Sequence, residues 1–178
     1  VARTVPVSAS EAPGNFETAA LWNAQVKAMI DWGTAVPRFL GYQTVAQSLP
    51  DSTNANAILL DSEDLDSDGG HSTTTNTSRY TVQVAGLYLM LGTVSINGNG
   101  TGGRSVVLTK NAASLRASCI QYTPPASFTW VGQAFTFAQC AVGDYLELNA
   151  WQQGTGTSIS TNPSTKFGPG LSIYWLST

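Results

Sequence analysis

Charge is scarce in this chain. Lys, Arg, Asp and Glu together make up 11% of 178 residues, against about a quarter in an average soluble domain. Ser, Thr, Asn, Gln and Gly fill the gap. A polar but barely charged surface suits a secreted or particle-bound structural protein. It also suits an oligomer, because charge is costly to bury between subunits. The net charge is −3 with no basic run, so nucleic acid is not an expected partner. No apolar run approaches the roughly 20 residues that cross a bilayer, so no membrane insertion is expected. The opening VARTVPVSAS has no apolar signal core, and so reads as a mature start or as a chain exported by no general leader.

Metal-binding and catalytic residues are equally sparse. Cys119 and Cys140 form no CxxC pair, and His71, the single histidine, would complete at most three ligands, which argues against structural zinc. The cysteines fall on strands expected to be consecutive, at unequal distances from the turn between them. Free, buried thiols are expected, with a disulfide as the alternative. There is no Gly-x-Ser-x-Gly elbow and no HExxH helix. His71 follows Gly69-Gly70 and reads as a loop histidine bonded to backbone. Asp144 and Glu147 lie three apart on one strand and point to opposite faces, so they make no glycosidase pair. The glycine-rich run 97–103 lacks the Gly-Lys-Ser/Thr ending and the following helix of a phosphate loop. No catalytic residue is assigned, and no enzyme is expected.

Residues 1–14, with Pro6, Pro13 and Gly14, read as an extended arm. Helical periodicity follows over 15–33. Ala19, Trp22, Val26 and Met29 keep a 3-4-3 spacing, and Ile30 widens the stripe. Asn15 is the expected cap, Glu17 suits the first turn, and Gly33 with Pro37 ends the helix. A helix of about five turns is marginal alone. Its stripe either folds back onto its own domain, or forms a bundle between subunits or a plug in a larger assembly.

From Phe39 onward the pattern is β. In RYTVQVAGLYLMLGTVSINGNGTGGRSVVLTK (79–110), Tyr80, Val82 and Val84 fall two apart, as do Leu87, Leu89 and Leu91, so each set lies on one strand face. Turn signals at Ala85-Gly86, Asn97–Gly103, Thr123-Pro124-Pro125 and Val142-Gly143-Asp144 separate antiparallel segments. Strands are expected near 40–47, 55–61, 79–84, 87–96, 104–110, 115–122, 132–140, 144–152 and 170–177. Many short strands with no helix between them predict an all-β sandwich or jelly roll.

Five of the eleven acids lie between Asp61 and Asp68. The spacing Asp64, Asp66, Asp68, Gly69 matches the start of a calcium loop. Thr75 stands where that loop needs its last acid, and the flanks look like strands. The alternative is a solvated acidic hairpin whose aspartates accept backbone N–H groups. No cofactor is assigned, and Ca²⁺ is the one ion this spacing would suit.

The motif order from about Gly41 to Ser177 resembles the globular head of complement C1q and its tumour-necrosis-factor-like relatives. Carrying the likeness are Tyr80-Thr81-Val82, Ala85-Gly86-Leu87-Tyr88, Gly103-Arg104-Ser105, Ala141-Val142-Gly143-Asp144-Tyr145-Leu146-Glu147-Leu148, and the C-terminal Leu171-Ser172-Ile173-Tyr174-Trp175-Leu176. The collagen stalk is absent, and Gly170-Leu171-Ser172 replaces the family's closing Phe-Ser-Gly pattern. The Ala-Ala-Leu-Trp-Asn helix, the Gln-Thr-Val-Ala-Gln-Ser-Leu-Pro stretch and the Asp-x-Asp-Gly-Gly-His run look like C1q-like proteins of phage virions, among minor tail, fibre and capsid-associated proteins.

The resemblance implies a jelly roll of about ten antiparallel strands over 39–178, with residues 1–38 as an anchoring and oligomerising arm and helix. It implies a homotrimer in which apolar faces meet near a three-fold axis. The many aromatics fit that, although a well-filled monomer core would also hold them. Trp22, Val26, Met29 and Ile30 are the expected anchoring residues, and Tyr88, Tyr174 and Trp175 the expected trimer contacts. Asn99, Phe128 and Trp130 are candidates for surface contact, the aromatics packing inward in the alternative. The function expected is a virion structural protein: a trimeric fibre, spike or decoration knob on capsid or tail, touching a host-surface glycan or protein. A carbohydrate-binding adhesin is the rival.

Overall fold

A chain whose apolar side chains recur at every second residue, with glycine turns between the runs, can bury one face of each strand only by stacking two sheets. The computed structural model describes residues 3–7, 14, 16, 18–117, 119–122, 128–164 and 166–178. The strands are β1 (Arg38–Tyr42), β2 (Ser48–Leu49), β3 (Ser52–Ala57), β4 (Ser62–Asp66), β5 (Arg79–Thr81), β6 (Gly86–Ile96), β7 (Gly103–Lys110), β8 (Ala113–Ser114), β9 (Cys119–Tyr122), β10 (Trp130–Cys140), β11 (Tyr145–Gln153), β12 (Ile159–Ser160) and β13 (Gly170–Ser177). One sheet has the order β10-β6-β13-β1-β4. The other runs β5-β11-β7, with β8 and β9 both on β7. All pairings within these sheets are antiparallel.

Between the sheets lies the core: Tyr80, Val82, Tyr88, Met90, Leu108, Trp130, Leu146, Leu148, Leu171, Ile173 and Trp175 are all buried. Tyr88 Oη donates to Val84 O at 2.6 Å, and Trp175 Nε1 donates to Ala85 O at 3.2 Å, so both polar tips are satisfied inside. Gly86 admits this: with φ +152°, any Cβ there would stand 2.3 Å from Trp175 Nε1 and from Ser177 O. The acidic stretch, expected to be a hairpin, supplies strand β4 and the loop after it.

Asn15 and Glu17, the expected cap and first-turn acid, lie outside the described residues, as does Thr123-Pro124-Pro125. Thr18 caps instead, its Oγ1 accepting from Leu21 N at 3.1 Å. An α-helical turn (Ala19–Leu21), a π-helical segment (Trp22–Lys27) and an α-helical segment (Ala28–Thr34) run on with helical dihedrals at each junction. No described helix is long and apolar enough to cross a membrane. Gly33 lies within the last turn, and Ala35 is the C-cap. The helix root is fixed to the domain through Trp32, which meets Trp175 edge-on with ring centroids 5.2 Å apart. Arg3 stacks over Trp32 and pairs with Asp68.

β6 spans eleven residues, from the helix end of the sandwich to the far end. At the far pole the 97–103 loop is ordered by Arg104. This fully buried guanidinium donates to Thr101 O and Gly103 O at 3.1 Å and to Asn99 O at 3.2 Å. Asp51 holds the neighbouring loop by accepting from Gly154 N and Gly156 N, both at 2.7 Å.

Candidate functional site

The feature that stands out is the outward face of the β10-β6-β13-β1-β4 sheet. Strand register sets it in rows. Leu65, Leu40, Ser172, Leu91 and Phe135 lie side by side across five strands. The next row is Arg38, Tyr174, Leu89 and Phe137. Alternation sends Tyr88 and Met90 inward and Leu87, Leu89 and Leu91 outward. Phe135 is 64% exposed, Phe137 59%, Leu91 46% and Tyr174 42%. Leu176, Leu65, Leu40 and Val131 add further exposed apolar surface to the same face. Single exposed apolar residues are ordinary, whereas a contiguous two-row patch marks an interaction surface.

The upper half of this face forms a groove of about 710 Å³ beneath residues 166–169. Phe135, Phe167 and Tyr42 supply its rings, and Asp64 and Lys166 its charges. Within the two rows, Arg38 at the helix end is the one charged residue. An apolar centre with a few charges at its rim is the composition of a protein interface.

The expected contact residues divide. Tyr174 lies on the outward face. Tyr88 and Trp175 do not: they are 0% and 7% exposed and fill the chain's own core, because β6 and β13 are apolar in both phases and the larger rings point inward. Trp130 is likewise a correction, at 3% exposure in the core, whereas Phe128, two residues earlier, is 68% exposed. Asn99 is half-buried and its side chain is turned into the loop, Oδ1 accepting from Thr101 N at 3.0 Å. The helix stripe faces outward: Trp22 and Met29 are 48% exposed and Ile30 57%, with Val26 half-buried between them. Spacing alone did not single out Leu40, Leu65, Phe135 and Phe137. Phe135-Thr136-Phe137 and the leucine triplet held the signal, but not which face was outward.

The acidic stretch makes no cation cage. Asp66 accepts from Asp68 N, Gly70 N and His71 N at 3.3, 3.1 and 2.8 Å. Asp68 pairs with Arg3, and Asp64 turns to the groove. Among the described residues no group of three or more His, Cys, Asp or Glu is placed to hold a metal. His71 lies between Glu63 Oε2 at 2.6 Å and Thr77 O at 3.0 Å, fastening the loop to its own strand. Cys140 is a free thiol buried beneath the outward face, and burial pushes its pKa up to about 11. The Cys119 side chain lies outside what is described. Burial also raises the hydroxyl pKa values of Tyr80 and Tyr88.

No family model and no curated protein matches the chain. Solved structures do. The globular domain of zebrafish complement 1qA superposes with a TM-score of 0.57 at 12% identity, over 79% of this chain and 97% of that one. Murine APRIL at pH 5.0 gives 0.59 at 14%, over 79% and 99%. Eiger TNF from S. frugiperda gives 0.57 at 16%, over 80% and 92%. The fold is the C1q/TNF-like jelly roll, carried here with a helix at its N-terminal side.

Proposed function

We propose that this chain is the knob of a homotrimer, a non-enzymatic structural module mounted on a virion, on head or tail, through its N-terminal segment. The observation that carries the reading is the two-row apolar face. A face with rings up to 64% exposed is stable in water when it is shared between copies. A likeness to C1q and TNF-type domains supports the trimer, as does the scarcity of charge. The helix root and the 97–103 loop lie at opposite ends of β6, so attachment at one pole leaves the other free to meet a host surface. Three identical poles on one knob give weak single contacts high avidity.

Native mass spectrometry of the whole chain at micromolar concentration tests assembly, and three chains is the expected mass. A lone chain would end this reading. Attachment is tested by particle incorporation: removing residues 1–31, which leaves Trp32 on Trp175, should leave the knob folded and remove it from particles. A second reading, a glycan-binding adhesin, draws on Phe128, exposed on the segment leading into β10. Loss of glycan-array binding on Phe128→Ala would favour it.

A further inference from the structure

We infer that the exposed stripe of the N-terminal helix packs against the same stripe of two sister copies, forming a short parallel three-helix stem under the knob. This inference rests on the homotrimer proposed above and adds a second contact to it. Trp22, Val26 and Met29 follow the 4-3 spacing of a seam. No residue of the helix is fully buried in its own domain, and Trp32 at its root is the one that packs part-buried against the core. Its two charges, Lys27 and Asp31, pair with each other one turn apart, so the seam carries no charge to repel a copy of itself.

Placement favours sister helices over another occupant. Arg38 stands in the row with Tyr174, Leu89 and Phe137, and its guanidinium donates to Thr34 O at 3.4 Å at the helix C-terminus. The helix root is therefore continuous with the apolar face that the copies share. Closing three faces on one axis brings three roots together, and Trp32 packed on Trp175 fixes where each helix begins. A helix of this length is marginal alone and gains its stability from packing on partners.

The test introduces Val26→Cys into the full chain, with Lys27→Cys as an outward-facing control and the unaltered chain as a background for Cys119 and Cys140. Each is oxidised mildly, and its native mass is measured alongside a non-reducing gel. The expected result is a three-chain mass in all, with covalent dimers formed by Val26→Cys at least tenfold above Lys27→Cys and background. Three chains with no excess crosslink at Val26 would overturn the stem and leave the trimer standing. A single-chain mass would overturn both.

Discussion

Replacing Phe135 by Ala separates a shared apolar face from a merely exposed one. Phe135 leaves 64% of its surface in water in one copy. Of about 200 Å² for a phenylalanine, that is roughly 130 Å², and at about 25 cal/mol per Å² its burial contributes about 3 kcal/mol. Three copies lose the contact together, so a trimer loses on the order of 9 kcal/mol. For three chains joining in one step, the half-assembly concentration follows the inverse square root of the association constant. At about 1.4 kcal/mol per decade, it rises roughly a thousandfold. Folding of the single copy should barely change, within about 0.5 kcal/mol, because an exposed side chain is removed. Sedimentation equilibrium across nanomolar to millimolar concentrations reads the first quantity, and thermal unfolding below the assembly threshold reads the second. A shift under tenfold, or loss of fold in the isolated copy, refutes the assignment of this face as the subunit contact.

Three further outcomes follow from the same geometry. Arg104→Met leaves the carbonyls of Asn99, Thr101 and Gly103 without their donor. It should cost about 1–3 kcal/mol, with faster amide exchange confined to the 97–103 loop; unchanged exchange there would show that the guanidinium does not order it. Cys140, with its thiol pushed up to about 11, should resist thiol reagents at pH 8 in a Cys119→Ser background and react on unfolding; prompt reaction in the folded protein would place it at a surface. Asp144 is held below the ordinary carboxylate range by the Ala141 N–H, then by the Asn111 side chain and Lys110. A lowered carboxyl stabilises the fold above its unfolded pKa and loses that contribution as pH falls through the folded value. The stability gap between the native chain and Asp144→Asn should therefore narrow as pH falls below about 4; a gap that widens as the solution is acidified would contradict this.

Much of the architecture was legible in one dimension. Period-two apolar runs broken by Ala85-Gly86 and Asn97–Gly103 determine antiparallel strands, because alternate side chains must share a face. The spacing of Trp22, Val26 and Met29 determines an amphipathic helix for the same geometric reason at a different period. What spacing cannot decide is direction. In GLYLMLGTVSI both phases are apolar, so nothing local says that Tyr88 and Met90 go in while Leu87, Leu89 and Leu91 go out. Only stacking against the second sheet decides that, and it took Tyr88, Trp130 and Trp175 into the core. Likewise, Asp64, Asp66 and Asp68 are evenly spaced along the chain, but folding sent Asp66 to backbone N–H groups, Asp68 to Arg3 and Asp64 to the groove. The rows of Leu40, Leu91 and Phe135 come from three distant segments and exist as a surface only after strand register has brought them together.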